Sequence, residues 1–180
     1  MKATYITRTS TATGWPLFRL REGLMVYLVE RTYPLYIKWF KRGRPAWQKT
    51  LTDLWSYPEN SLGKALGVFL HSNQLALIPQ LENHDVFHVL LDYETHVIGE
   101  AQMQFCLIGN GKRSLYAIGT ASVAALFFPE YWGAFRQAFR RGKRLRKLYK
   151  WYFEYLLDEP LIELKSFIDK QPTAYYKHFF

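Results

Sequence analysis

Cysteine is all but missing from this chain of 180 residues: Cys106 stands alone in the apolar run QFCLIG. A single thiol closes no intramolecular disulfide and removes every cysteine-based zinc motif from consideration. It suits a reducing compartment. Long apolar runs are lacking too. The longest uncharged stretch, LYAIGTASVAALFF at 115–128, falls short of the roughly 18 residues that a spanning helix needs. The opening segment MKATYITRTSTATGW has no apolar signal core, so no secretory leader is expected. Neither a repeat nor a Pro/Gly/Ser linker interrupts the chain, and strict two-residue alternation is weak, which argues against a β-rich fold.

Aromatic and basic residues are what the chain has in excess. A hydrophobic fraction of 49% and an aromatic fraction of 18% exclude disorder. The length fits one domain with a true core. Net charge is +9, with 24 Lys and Arg against 15 Asp and Glu, which points to an anionic partner.

Turn signals divide the chain into helices. Residues 17–31 and 34–41 read as one helix broken near Pro34. Pro45 opens AWQKTLTDLWS, and Ser61 is a candidate N-cap for LGKALGVFLHSNQL. After Pro79 a helix over 80–91 is broken by DYET. Thr95 then caps a helix over 96–109 that GNG ends. The apolar stretch 115–128 reads as a buried core helix, with Gly119, Ala121 and Ala125 admitting close neighbours. Pro129 opens a long basic helix, and Asp158 with Pro160 starts a last one ending near Lys170. The expected fold is all-α, a single-domain helical bundle spanning 1–180.

The most specific stretch is ENHDVFHVLLDYETHVIGE, residues 82–100. His84 and His88 sit four apart, so on a helix their Cβ atoms lie roughly 5–6 Å from each other on one face. That spacing lets two imidazoles reach one metal ion. Asp85 projects about 60° from His88, within reach of the same ion or of a histidine. Glu100 would lie roughly 18 Å away on a continuous helix. Only a reversal in DYET, with helix 96–109 folding back and Gly99 permitting close approach, brings it to the histidines. The alternative is a hydrogen-bonded His–Asp pair on a solvated face. A protease reading is weak, because Asp replaces the Glu of the H-E-x-x-H helix. A His–Asp phosphohydrolase would need further ligands on other helices. Two histidines with two carboxylates instead fit a site for zinc first, with iron, manganese or magnesium as other candidates.

Around that site, His71, His96 and Glu82 are read as ordinary polar positions and left out of it. Phe87 and Phe105, each near a candidate ligand, are candidates to line an apolar tunnel. Eight Lys or Arg lie in 136–150, with no acid between 131 and 153. Arg136, Arg140, Lys143, Lys147 and Lys150 would fall within about 80° on one helix. That stripe fits an anionic membrane surface or plain solvent. No nucleic-acid-binding motif accompanies it.

The motif H-D-x-x-H-x₁₁-E, carried by His84, Asp85, His88 and Glu100, resembles the signature of the coenzyme Q biosynthesis protein four family. The C-terminal AFRQAFRRGKRLRKLYKWYFEYLLDEPLIELKSFIDKQP, a basic segment before a P-L-x-E-L-K-type helix, is similar to that family's end. The likeness spans about residues 55–172. DYET departs from the family's P-T-N-like turn, and the first 55 residues are not shared.

The resemblance implies a helical protein of ubiquinone biosynthesis with those four residues as metal ligands. It implies action at C1 of a polyprenylated benzenoid ring, by decarboxylation and hydroxylation, and organisation of the other quinone-biosynthesis proteins. With no mitochondrial transit peptide evident, the expectation is a bacterial relative, cytoplasmic and peripheral to the inner face of the plasma membrane. A homodimer is a reasonable further expectation. The rival class is a non-catalytic isoprenoid-lipid-binding or scaffold protein with a structural metal.

Overall fold

The structure is a computed structural model that describes residues 16–40 and 45–169. Its described residues form eight α-helices and no strand: α1 Pro16–Phe40, α2 Leu51–Trp55, α3 Leu62–Ser72, α4 Glu82–Leu91, α5 Val97–Gly109, α6 Leu115–Phe127, α7 Trp132–Arg144 and α8 Leu161–Ile168. The all-α expectation holds.

Local chemistry sets most boundaries. Thr50 and Asp53 close a reciprocal capping box, so α2 begins at Leu51 rather than after Pro45. Ser61 caps α3 as expected, its hydroxyl accepting from the Lys64 N–H at 3.2 Å. Asp92 adopts the left-handed conformation (φ 57°) that ends α4, and Gly111 (φ 108°) lies just past the end of α5. His96, not Thr95, caps α5: its Nδ1 accepts from the Gly99 N–H at 3.1 Å. The Thr95 hydroxyl instead turns to Asn73.

Two helices depart from the expected pattern. α1 continues through Pro34 instead of breaking there. Pro34 and its neighbours Arg31, Thr32 and Leu35 are exposed, so the carbonyl that proline leaves unbonded lies on a solvent-facing stretch of the helix rather than in the core. The basic helix, in contrast, stops at Arg144. The buried Asn110 amide reaches across from the end of α5 and donates to the carbonyls of Gly142 (3.1 Å) and Arg146 (2.7 Å), while its oxygen accepts from Leu148 N–H (3.0 Å). Leu145 then turns extended and bridges Asp169. Lys147 and Lys150 therefore leave the helix, and the five-residue stripe exists only as Arg136, Arg140 and Lys143, although all five side chains are exposed.

Two apolar clusters hold the bundle. The larger joins α2, α3, α4, α5, α7 and the C-terminal segments, with Leu62, Leu66 and Leu70 forming a fully buried row one turn apart on α3. Each such leucine contributes roughly 1.5–3 kcal/mol on leaving water. The smaller cluster takes Met25, Val26 and Val29 from α1, Val97, Ile98 and Ala101 from α5, Ala124 from α6, and Phe128 and Phe135.

α6 is not the enclosed core helix its composition suggests. Ala117, Ala121 and Ala124 face inward, while Leu115 and Leu126 are 74% and 76% exposed and Gly119 has open space around it. Small residues let α6 sit close on one side. Nothing in their pattern says that the other side is covered.

The closest crossing is that of α5 and α7. A Cβ at Gly142 would overlap the Cys106 carbonyl oxygen, and one at Gly109 would overlap that of Phe139. Both collisions are with backbone, which has little room to give. Gly142→Ala is expected to cost about 3 kcal/mol or more in urea unfolding, whereas Gly119→Ala, in open space on α6, should gain about 0.5–1 kcal/mol.

Candidate metal centre

The turn Asp92–His96 reverses the chain and lays α5 back along α4. Glu100, one turn into α5, then meets both histidines of α4. Its Oε1 lies 2.9 Å from His88 Nε2, and its Oε2 lies 3.4 Å from His84 Nε2. The two Nε2 atoms are 3.3 Å apart. One ligand atom from each of His84, His88 and Glu100 lies within 4.8 Å of the others. Gly99 serves this reversal differently from expectation. A Cβ there would strike the Glu94 backbone of the turn rather than a neighbouring helix.

The hydrogen bonds define what the centre can accept. His88 Nδ1 lies 2.8 Å from the Tyr93 carbonyl, to which it can only donate. A neutral His88 therefore presents a bare Nε2 lone pair to a carboxylate and a second imidazole. Acceptors facing acceptors require a proton or a cation between them. His88 and Glu100 are buried, with side-chain exposures of 1% and 11%, while His84 keeps 25%. His84 is therefore the most exposed of the three. Two imidazole nitrogens and a carboxylate suit a divalent ion bound by three protein ligands with a position left open. The group formed by His84, His88 and Glu100 could hold such an ion.

Without a metal the electrostatics are strained in opposite directions. Burial pushes the Glu100 carboxyl up, but His88 and His84 outweigh it and hold it at about 2. Burial depresses His84, and the Glu100 charge does not fully compensate. For His88, burial pulls the same way, yet Glu100 and the Tyr93 carbonyl raise it.

Asp85 is buried beside the trio but is not one of the side chains whose ligand atoms converge. Burial, with added repulsion from Glu100 and Glu82, raises its carboxyl to about 7 against the attraction of His88. Glu82 is buried as well, and its Oε1 accepts from the Trp47 N–H at 3.0 Å, tying the segment before α2 to the start of α4. His96 is an N-cap paired with Glu94, and His71 packs edge-on against Trp55; neither joins the trio.

Sequence reasoning missed the residues that hold the turn. Arg141, on α7, donates to the Leu91 carbonyl at 2.6 Å and lies over the Tyr93 ring, 5.2 Å from its centroid. Burial and the nearby Cys106 push the Tyr93 phenol up to about 12 despite Arg141. On the outer side Lys165 pairs with Asp92 at 2.6 Å. In the sequence Arg141 is one of eight cations within residues 136–150, and nothing distinguishes it.

An open cleft of about 920 Å³ lies between α3, α4 and α8 and reaches His88. Val68, Phe69, Val89 and Leu161 give it an apolar wall. Phe69 stacks on the His88 ring with centroids 5.4 Å apart. The tunnel candidates lie elsewhere: Phe87 is in the core edge-on to Phe153, and Phe105 stacks on Phe135. Among the described residues no helix is long and apolar enough to cross a membrane.

No protein-family model and no curated protein matches the chain. Among solved structures it is similar to the crystal structure, at 2.85 Å resolution, of a "putative ubiquinone biosynthesis protein" from Nostoc punctiforme PCC 73102. The two are 18% identical, with a TM-score of 0.55 over 87% of this chain and 83% of that one. At that identity the likeness establishes a shared helical fold.

The Asp85 carboxyl gives a pH signature in metal-free protein. Its folded value of about 7 stands above the ordinary 3.8, so the folded state holds the extra proton between those limits. The stability this provides is complete below about pH 4 and is lost as pH rises through 7. Asp85→Asn should match the wild-type melting temperature near pH 4 and exceed it by several degrees near pH 8, read by thermal circular dichroism.

Proposed function

We propose that the protein acts in the biosynthesis of ubiquinone or a related prenylated quinone, through a divalent metal held by His84, His88 and Glu100, with zinc as the first candidate. The observation that carries this reading is the convergence of two imidazole nitrogens and a buried carboxylate on one point. Two others support it: the resemblance of the H-D-x-x-H-x₁₁-E motif and the fold shared with the Nostoc protein. The reaction proposed is decarboxylation and hydroxylation at C1 of the polyprenylated ring. The C1–carboxylate bond breaks with release of CO2. The hydroxyl oxygen comes from dioxygen, whose second oxygen leaves as water with two protons and two electrons from an external reductant.

A metal bound there supplies Lewis acidity towards the ring carboxylate or hydroxyl, and redox chemistry if the ion is iron or manganese. The chain's own residues do the rest. The Tyr93 carbonyl keeps the proton on His88 Nδ1 and so keeps Nε2 available as a ligand. Asp85 joins the site as the fourth residue of the motif, either as a further ligand or as buried negative charge beside the trio. Phe69, Val68 and Leu161 give an aromatic ring or isoprenoid chain an apolar wall next to His88. Exposed Arg136, Arg140, Lys143, Lys147 and Lys150 place the protein against anionic headgroups on the inner face of a bacterial plasma membrane, in company with other quinone-biosynthesis proteins. Each cation near such a surface contributes roughly 1 kcal/mol.

A non-catalytic reading, in which the metal is structural and the protein binds isoprenoid lipid or organises its partners, draws on the burial of the trio. With His88 and Glu100 this deeply buried, a substrate has little room at the ion. Metal analysis comes first: His84→Ala and His88→Ala should each lose most of the bound metal, and equal metal in wild type and variants removes the site. In a strain deleted for the gene, the quinone pool should fall and a carboxylated prenyl precursor accumulate. Wild type restores the pool. If folded, metal-free His88→Ala restores it equally well, the non-catalytic reading stands; an unchanged pool on deletion removes both.

A further inference from the structure

Gln104 lies on α5 one turn beyond Glu100. Four helical residues carry it about 40° round the axis, so the two side chains share a face, with Cβ atoms roughly 5–6 Å apart. Gln104 keeps only 8% of its surface exposed. Its carboxamide can both donate and accept hydrogen bonds, yet it meets no partner among the described residues, and its polar atoms are not sealed from solvent. Asn110, at the end of the same helix, shows the contrast. Its carboxamide donates to the Arg146 carbonyl and accepts from the Leu148 N–H. An amide without partners at such depth costs stability that an apolar side chain of equal length would not. Methionine would fill the same place. The Gln104 carboxamide is therefore matched to a group that is not part of the chain.

Charge says what kind of group. α5 ends in a Schellman turn, with Gly111 at φ 108°. The Gly111 N–H donates to the Ile108 carbonyl at 3.0 Å, and the Lys112 N–H to the Leu107 carbonyl at 2.9 Å. That turn fixes the Lys112 backbone. The Lys112 ammonium lies over the Phe87 ring, 5.4 Å from its centroid. Phe87 follows His84 by three residues and so neighbours it on α4. The charge reaches the imidazole: burial is the main cause that lowers His84, and Lys112 adds to it together with His88. A carboxamide with an ammonium nearby suits an anionic oxygen better than a hydrocarbon.

We propose that Gln104 contacts the ligand of the metal centre directly, hydrogen-bonding an oxygen of an aromatic carboxylate or phenolate bound there, while Lys112 supplies the positive field that favours the anion. This assignment rests on the metal centre proposed above.

Binding to the cobalt-loaded full chain tests it, with para-hydroxybenzoate as the probe and neutral para-hydroxybenzamide as its control. Calorimetry gives the affinity, and the visible spectrum of the cobalt reports its surroundings. The wild type should prefer the anion to the amide. Gln104→Met should take up cobalt as the wild type does, melt no lower, and bind para-hydroxybenzoate about tenfold or more weakly. Lys112→Met should weaken the anion and leave the amide unchanged. A side chain serving only the fold behaves in reverse: Gln104→Met then melts lower and keeps the probe affinity, which overturns the proposal. So does a wild type that holds cobalt and ignores the probe, or one that binds both probes alike. A wild type that takes up no cobalt fails earlier, removing the centre itself and this assignment with it.

Discussion

The arrangement of the centre depends on a single guanidinium. Arg141 spends its hydrogen bond on the last carbonyl of α4 and its charge on the face of Tyr93. Both groups belong to the turn that reverses the chain. With the turn fixed, the Tyr93 carbonyl is in place to orient His88, and α5 is aimed so that Glu100 returns to the histidines. Leu91 is wholly buried, and its carbonyl would be left without a partner were the arginine gone. An unpaired buried carbonyl costs roughly 1–3 kcal/mol, so the turn and the arginine hold each other.

Arg141 reaches the turn because α7 crosses α5 at backbone distance. Two glycines make that crossing possible, and Asn110 closes it by donating to the Gly142 carbonyl in α7 and to the Arg146 carbonyl just past its end. The smaller cluster backs the opposite side of α5, where Val97, Ile98 and Ala101 flank Glu100. The ligand-bearing helix is thus clamped between a polar anchor at its C-terminal end and an apolar bed at its N-terminal end. That arrangement suits a carboxylate which must be held against desolvation.

What could be read from the sequence was local. Ser61 as a cap, the break at Asp92 and the reversal needed by Glu100 all follow from spacing and turn chemistry, and the structure brings His84, His88 and Glu100 together as that reasoning requires. Asp85 carries the same motif and is buried beside them, but it is not among the side chains whose ligand atoms converge. The errors arose where distant groups decide. Asn110 ends α7 from the far side of α5, so the basic run reads as one long helix until that amide is seen. The outward face of α6 is uncharged and looks like core, because composition records apolarity and not which side is covered. Arg141 lies among seven other cations, and only its partners single it out.

The smaller cluster also has a mechanical consequence. Met25, Val26 and Val29 press on the same layer of side chains that supports the start of α5, and Glu100 stands on that layer's other side. α1 therefore lies one stratum of packed atoms from the carboxylate. Interiors packed at crystal density transmit displacement instead of absorbing it. The stiffness with which Glu100 is presented to the two imidazoles is consequently a property of how firmly α1 is seated, and the outermost helix of the bundle becomes part of the centre's foundation.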